Sequence, residues 1–193
     1  MNLDLILKNV SKHISLDAAE IDFFKSLLKP KELKRKEFLV HEGEVCKYEC
    51  FVVKGCLRTY NIDKNGFEHI VMFAIEDWWT GDLYSFLTQT PAAFSIDALE
   101  DSVLLQISKD NSEKLYKVVP KFERFFRIIL QNAFIASQQR IMQGQSLCAE
   151  ERYEQFKKKY PNLEQRIPQK QIAAYLGITP EYLSMMRSKN TKS

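Results

Sequence analysis

The stretch "IPQKQIAAYLGITPEYLSMMRSK", residues 167–189, decides how the rest of this chain is read. Pro168 suits the first position of a helix, where its missing N–H is not needed and its fixed φ is already helical. Ile172, Ala173 and Leu176 then fall on one face at helical spacing until Gly177 interrupts the pattern. Thr179 is suited to cap a second helix, Pro180 to begin it, and Glu181 to sit as an acid in its first turn. Leu183 and Met186 give that helix a narrow apolar edge. Two short helices joined by a glycine-containing turn make a helix-turn-helix, whose second helix is pushed outward with its N-terminal half free to enter a DNA major groove. The side chains left exposed on it are Thr179, Glu181, Tyr182, Ser184 and Arg187. The same pattern, taken alone, also describes an ordinary helical hairpin closing a core.

Charge is distributed in favour of the first reading. The chain carries a net charge of only +3. Residues 140–193, however, hold 10 Lys and Arg against 5 Asp and Glu, leaving 18 against 20 in residues 1–139. Positive charge thus gathers with the two terminal helices, as phosphate binding requires. Composition is otherwise that of a globular protein, with 45% hydrophobic and 27% charged residues over 193 positions, enough for one large domain or two small ones. Asp4, Lys8, Lys12 and His13 interrupt the start too often for a signal peptide, and no later run reaches membrane-spanning length, so a cytoplasmic protein is expected.

Upstream, the texture changes twice. Residues 2–29 read as one or two short helices with Ile21, Phe24, Leu27 and Leu28 as a buried stripe ended by Pro30. Residues 36–108 are rich in Val, Phe, Tyr and Thr, punctuated by glycines, and Asn65-Gly66 stands where a tight hairpin needs positive φ. Seven or eight strands at this spacing suggest a sandwich or jelly roll. From Val119 the period becomes helical: Phe122, Phe126, Ile129, Ala133 and Ala136 recur at steps of four and three on a helix to about Gln143. That seam needs a partner, which is either the chain's own β domain or the same helix of a second copy. Gly144 is expected to end the helix, and Ser146 to cap a further one ending near Pro161.

Chemistry-bearing clusters are few. Cys46, Cys50, Cys56 and Cys148 form no C-x-x-C pair and are expected to be buried as small apolar residues. A metal site from the first three with His41 would place its ligands on alternating strand faces, so no metal, cofactor or catalytic residue is expected. A cupin-type jelly-roll protein with a structural helical tail is the competing reading, yet His13, His41 and His69 are scattered and form no H-x-H pair. A haem sensor using His69 rests on that one histidine.

With the order β-roll, long helix, helix, helix-turn-helix in place, the sequence resembles the Crp/Fnr family of bacterial transcription regulators. The pieces that carry the resemblance are "FLVHEGEVCKYECFVVKGCLRTY", "GDLYSFL" and "QKQIAAYLGITPEYLSMMR". It implies an α+β chain with an antiparallel cyclic-nucleotide-binding-like β-roll over residues 1–118, a dimerisation helix over 119–143 and a DNA-binding domain over 144–193. It also implies double-stranded DNA, a second copy of the chain and RNA polymerase as partners, and leaves room for an unidentified small-molecule effector. Gln169, Lys170 and Lys189 would hold phosphates beside the base-reading set. Gly81, Asp82 and Leu83 occupy the start of the family's phosphate-binding cassette, but Ala92 and Ala93 stand where its cyclic AMP binders carry Arg followed by Ser or Thr. A methyl group cannot replace a guanidinium on a buried phosphate, so cyclic AMP binding is not expected. The short "PNLEQRI" predicts a reduced or absent wing.

Overall fold

The computed structural model describes residues 3–190, with side chains as far as residue 188. Two short helices open the fold, α1 (Asp4–Ser11) and α2 (Ala18–Leu27). α2 starts on a capping box: the Asp17 carboxylate accepts the Glu20 N–H and the Glu20 carboxylate accepts the Asp17 N–H, both at 2.9 Å.

Eight strands follow: β1 (Lys29–Leu33), β2 (Phe38–Val40), β3 (Tyr48–Lys54), β4 (Leu57–Ile62), β5 (Glu68–Ala74), β6 (Trp79–Thr80), β7 (Ser95–Ala98) and β8 (Ser102–Ser108). They form two four-stranded sheets, β1-β8-β3-β6 and β2-β7-β4-β5. The strand region therefore begins at Lys29, earlier than the expected Lys36; Pro30 is tolerated because β1 is an edge strand. The β4–β5 hairpin turns where the sequence indicates. Gly66 has φ 84°, and the Asp63 carboxylate accepts the N–H groups of Asn65 and Phe67. Leu33, Val40, Val52, Leu57, Ile96 and Leu104 contribute to one continuous core within the roll.

Six helices complete the chain after the short α3 (Leu83–Thr88) of the β6–β7 crossover: α4 (Lys109–Val118), α5 (Lys121–Ser146), α6 (Ala149–Lys159), α7 (Leu163–Arg166), α8 (Gln169–Leu176) and α9 (Pro180–Asn190). α5 runs 26 residues, about 39 Å at 1.5 Å per residue. It passes through Gly144 rather than ending there, since a single glycine weakens a helix without breaking it. Ser146 is the last residue of α5, its hydroxyl donating to the Met142 carbonyl at 2.7 Å. The next helix is capped instead at Cys148, whose N–H donates to the Glu151 carboxylate at 2.9 Å. Only α7 stands between α6 and α8, so the C-terminal region has no strand among its described residues.

The apolar seam is also revised. Phe122 and Phe126, together with Phe125, pack inside the chain with Phe24, Leu105 and Leu115, and Ile129 packs on the same cluster. Phe122 is fully buried and Phe126 only 7% exposed, so both side chains are spent on the chain's own core. Ala133 is exposed and Ala136 half-buried. A three-four repeat marks an apolar face but does not say what covers it. The apolar side chains that α5 leaves uncovered are Leu130, Phe134, Ile135, Ile141 and Met142, with Phe134 65% exposed. Among the described residues no helix is long and apolar enough to cross a membrane.

Candidate nucleic-acid interface

α8 and α9 meet through a turn in which Gly177 takes φ 68° and ψ 38°, the left-handed conformation that a residue with a Cβ adopts only with strain. Pro168 is the residue just before α8 rather than its first position. Thr179 caps α9 as expected: its hydroxyl accepts the Tyr182 N–H at 3.2 Å. Leu183 and Met186 are buried against Ile172, Ala173 and Leu176 in one cluster, which fixes α9 with its opposite face outward. Glu181 and Ser184 are exposed on that face, as is the cap Thr179. Tyr182 is partly exposed, and its hydroxyl donates to the Glu150 carboxylate at 3.0 Å, a bond that raises its pKa. Arg187 is half-buried, 3.8 Å from Glu164. Gln169 and Lys170 are exposed in the first turn of α8, and the Lys189 side chain lies outside the described residues. Met185, which sequence reading passed over, is 45% exposed on α9.

The helix pair does not hang free. Its core is shared with the β-roll: Tyr60, Ile70 and Phe73 from β4 and β5 pack with Phe156, Tyr160, Ile172 and Leu176. Three arginines cross the same junction. Arg58 of β4 is buried, bound through Nε and Nη2 to both Asp97 oxygens at 2.7 and 2.9 Å, paired with Glu68, and donating to the Gln171 side-chain oxygen of α8 at 2.7 Å. Burial opposes its charge, but the two carboxylates prevail and hold its pKa above the ordinary value. Arg166 of α7 makes two bonds to Glu76, each 2.9 Å, and a further one to Glu100. Arg140 of α5 donates to the backbone carbonyls of Ile70 and Tyr175 at 2.7 and 2.9 Å while lying over the Tyr175 ring. Apart from Arg58–Glu68, ten positions apart across the β4–β5 hairpin, these contacts join residues at least 35 positions apart, so no local pattern announces them.

In the β-roll, Asp82 is buried and caps α3, its two oxygens accepting the N–H groups of Ser85 at 2.9 Å and Ala93 at 3.1 Å. Gly81 lies against the Tyr48 carbonyl, 3.3 Å from where a Cβ would stand. Leu83 is exposed. Ala92 is buried in the core cluster that contains Val40, Cys46, Phe86 and Ile96, and its N–H and C=O bond Glu44 and Gly43. The residues named from the cassette therefore come together, but as a closed, internally bonded turn. Of the cysteines, Cys46, Cys50 and Cys56 are buried, and burial pushes the Cys50 and Cys56 thiols up to about 12; Cys148 is exposed, against expectation.

Residues 30–118 match the cyclic nucleotide-binding domain family. The chain is 24% identical to regulatory protein HlyX of Actinobacillus pleuropneumoniae, covering 84% of this chain and 72% of that one. Over most of its length the chain resembles the Crp/Fnr regulators. Solved Crp/Fnr structures share its fold. FixK2 from Bradyrhizobium japonicum superposes with a TM-score of 0.76 at 17% identity, over 86% of this chain and 85% of that one. The global regulator CLP of Xanthomonas campestris, described as responsive to c-di-GMP, gives 0.72 at 15% identity over 91% and 92%. The catabolite activator protein of Thermus thermophilus gives 0.56 at 17% over 92% and 85%. Crp/Fnr proteins are transcription regulators that bind DNA and act as dimers, not enzymes.

Proposed function

We propose that the protein is a homodimeric, sequence-specific DNA-binding regulator whose β-roll, residues 1–118, is a sensor that does not take cyclic AMP. The observation that carries this reading is the polar outer face of α9, held outward by Leu183 and Met186 beneath it. Thr179, Glu181, Tyr182, Ser184 and Arg187 read bases, with Arg187 suited to a guanine edge and Glu181 to a cytosine amino group. Gln169, Lys170 and Lys189 hold phosphates. α5 pairs with its copy through the uncovered stripe of Leu130, Phe134 and Ile141, at steps of four and seven along one face.

Cyclic AMP is excluded because its phosphate would meet Asp82 and Ala92 in place of a guanidinium. The amides of Ser85 and Ala93 that could serve an anion are already bonded to the Asp82 carboxylate. Any effector acts only to the extent that it prefers one arrangement of the two α9 helices. The junction at Arg58, Arg140 and Arg166 is the route by which a change in the roll reaches α8. RNA polymerase is the downstream partner of such a regulator. Selection of duplexes from a random pool tests the function: enrichment of a two-fold-related site supports it, and recovery of no preferred sequence overturns it.

A further inference from the structure

Leu183 and Met186 turn one side of α9 into the chain, the first fully buried and the second 4% exposed. The 3.6-residue turn of a helix then sets Glu181, Ser184, Met185 and Ser188 on the opposite side, and all four are exposed. Tyr182 and Arg187 fall on the two flanks, and each meets a carboxylate of another helix. The Tyr182 hydroxyl donates to Glu150 of α6 at 3.0 Å, and Arg187 lies 3.8 Å from Glu164 of α7. Glu164 is itself held by the hydroxyl of the buried Tyr153 at 2.9 Å. On the outward side the Ser188 hydroxyl donates back to the Ser184 carbonyl at 3.0 Å, so its proton is already placed. Met185 is the apolar member of these four. Its neighbours Leu183 and Met186 belong to the core, whereas 45% of Met185 meets solvent. It stands four positions after Glu181, so the two side chains share one strip of the helix, about 6 Å apart along its axis.

The major groove offers one apolar group to such a side chain, the C5-methyl of thymine. A flexible, unbranched thioether can settle on it and leave water as it does so. Successive bases of a strand are about 3.4 Å apart, so the spacing from Glu181 covers one or two base steps. We propose that Met185 is a specificity-determining residue that packs on the methyl group of a thymine within two base pairs of the base read by Glu181. The inference rests on α9 being the recognition helix and adds to that reading a further base and the residue that reads it.

The test takes the duplex selected from a random pool and replaces its thymines one at a time by uracil, which removes the methyl group and keeps the pairing edge and the charge. Binding of the full chain is measured at one salt concentration. The native protein should lose about fourfold in affinity at one thymine of each half-site, the worth of one buried methyl group. Met185→Ala should bind the thymine and uracil duplexes equally at that position, and Met185→Leu should keep the difference. Because the side chain is exposed, Met185→Ala should melt with the native protein, which separates lost recognition from lost folding. If the native protein prefers the selected duplex over a scrambled one but feels no uracil replacement, or if the uracil effect persists in Met185→Ala, the proposal is overturned while the recognition helix stands. If the native protein does not distinguish the selected from the scrambled duplex, the reading of α9 fails and the proposal fails with it.

Discussion

Arg58 of β4 and Gln171 of α8 stand 113 positions apart in sequence, yet the guanidinium donates to the Gln171 side-chain oxygen at 2.7 Å. Asp97 and Glu68 hold the same guanidinium. Removing the charge leaves Asp97 buried without its counter-ion, so Arg58→Met should cost about 3–5 kcal/mol. Gln171→Leu removes one bond to a charged group and should cost about 1–3 kcal/mol. Urea unfolding of the two variants measures both; an Arg58→Met loss no larger than that of Gln171→Leu would show that the cluster does not hold the junction.

The exposed stripe of α5 makes a second prediction. Phe134→Glu or Ile141→Glu should give folded monomers in sedimentation, because two copies would bury facing carboxylates. Phe126→Glu should instead unfold the chain, since that side chain is 7% exposed within its own core. A Phe134→Glu protein that sediments with the native one removes the stripe from the interface.

Glu49 of β3, opposite Ile107, gives a pH dependence. Burial pushes its pKa up to about 7, against about 4.3 for an unfolded chain. The folded state therefore keeps a proton that the unfolded state has lost, so the stabilities diverge as pH rises from about 4.3 to 7 and the penalty is complete above 7. Glu49→Gln should stabilise the protein at pH 8 by at most about 3 kcal/mol and change little at pH 4. Thermal melts at the two pH values check this; equal shifts at both would contradict it.

What the sequence disclosed was what short segments decide for themselves. Thr179, Gly177 and Asn65-Gly66 act through bonds to residues a few positions away, so the cap, the turn and the hairpin were legible. The α5 seam was legible as a face but not as an interface, because Phe122 and Phe126 have the same spacing whether they meet a second copy or Phe24. Gly144 and Ser146 were read as punctuation by propensity alone, which α5 overrides. Arg58, Asp97 and Gln171 meet only when β4, β7 and α8 are folded together. Their chemistry had no signal within any one segment.

The central claim, that α9 reads DNA while α8 holds its backbone, is tested most directly by binding across salt concentrations on a selected and a scrambled duplex. Arg187→Ala should cost about 1–3 kcal/mol on the selected duplex and relax base preference. Lys170→Ala should weaken both duplexes alike and lower the salt slope by about one per protomer. If the native protein and both variants bind the two duplexes equally at every salt concentration, the terminal helix pair is structural and the account is wrong.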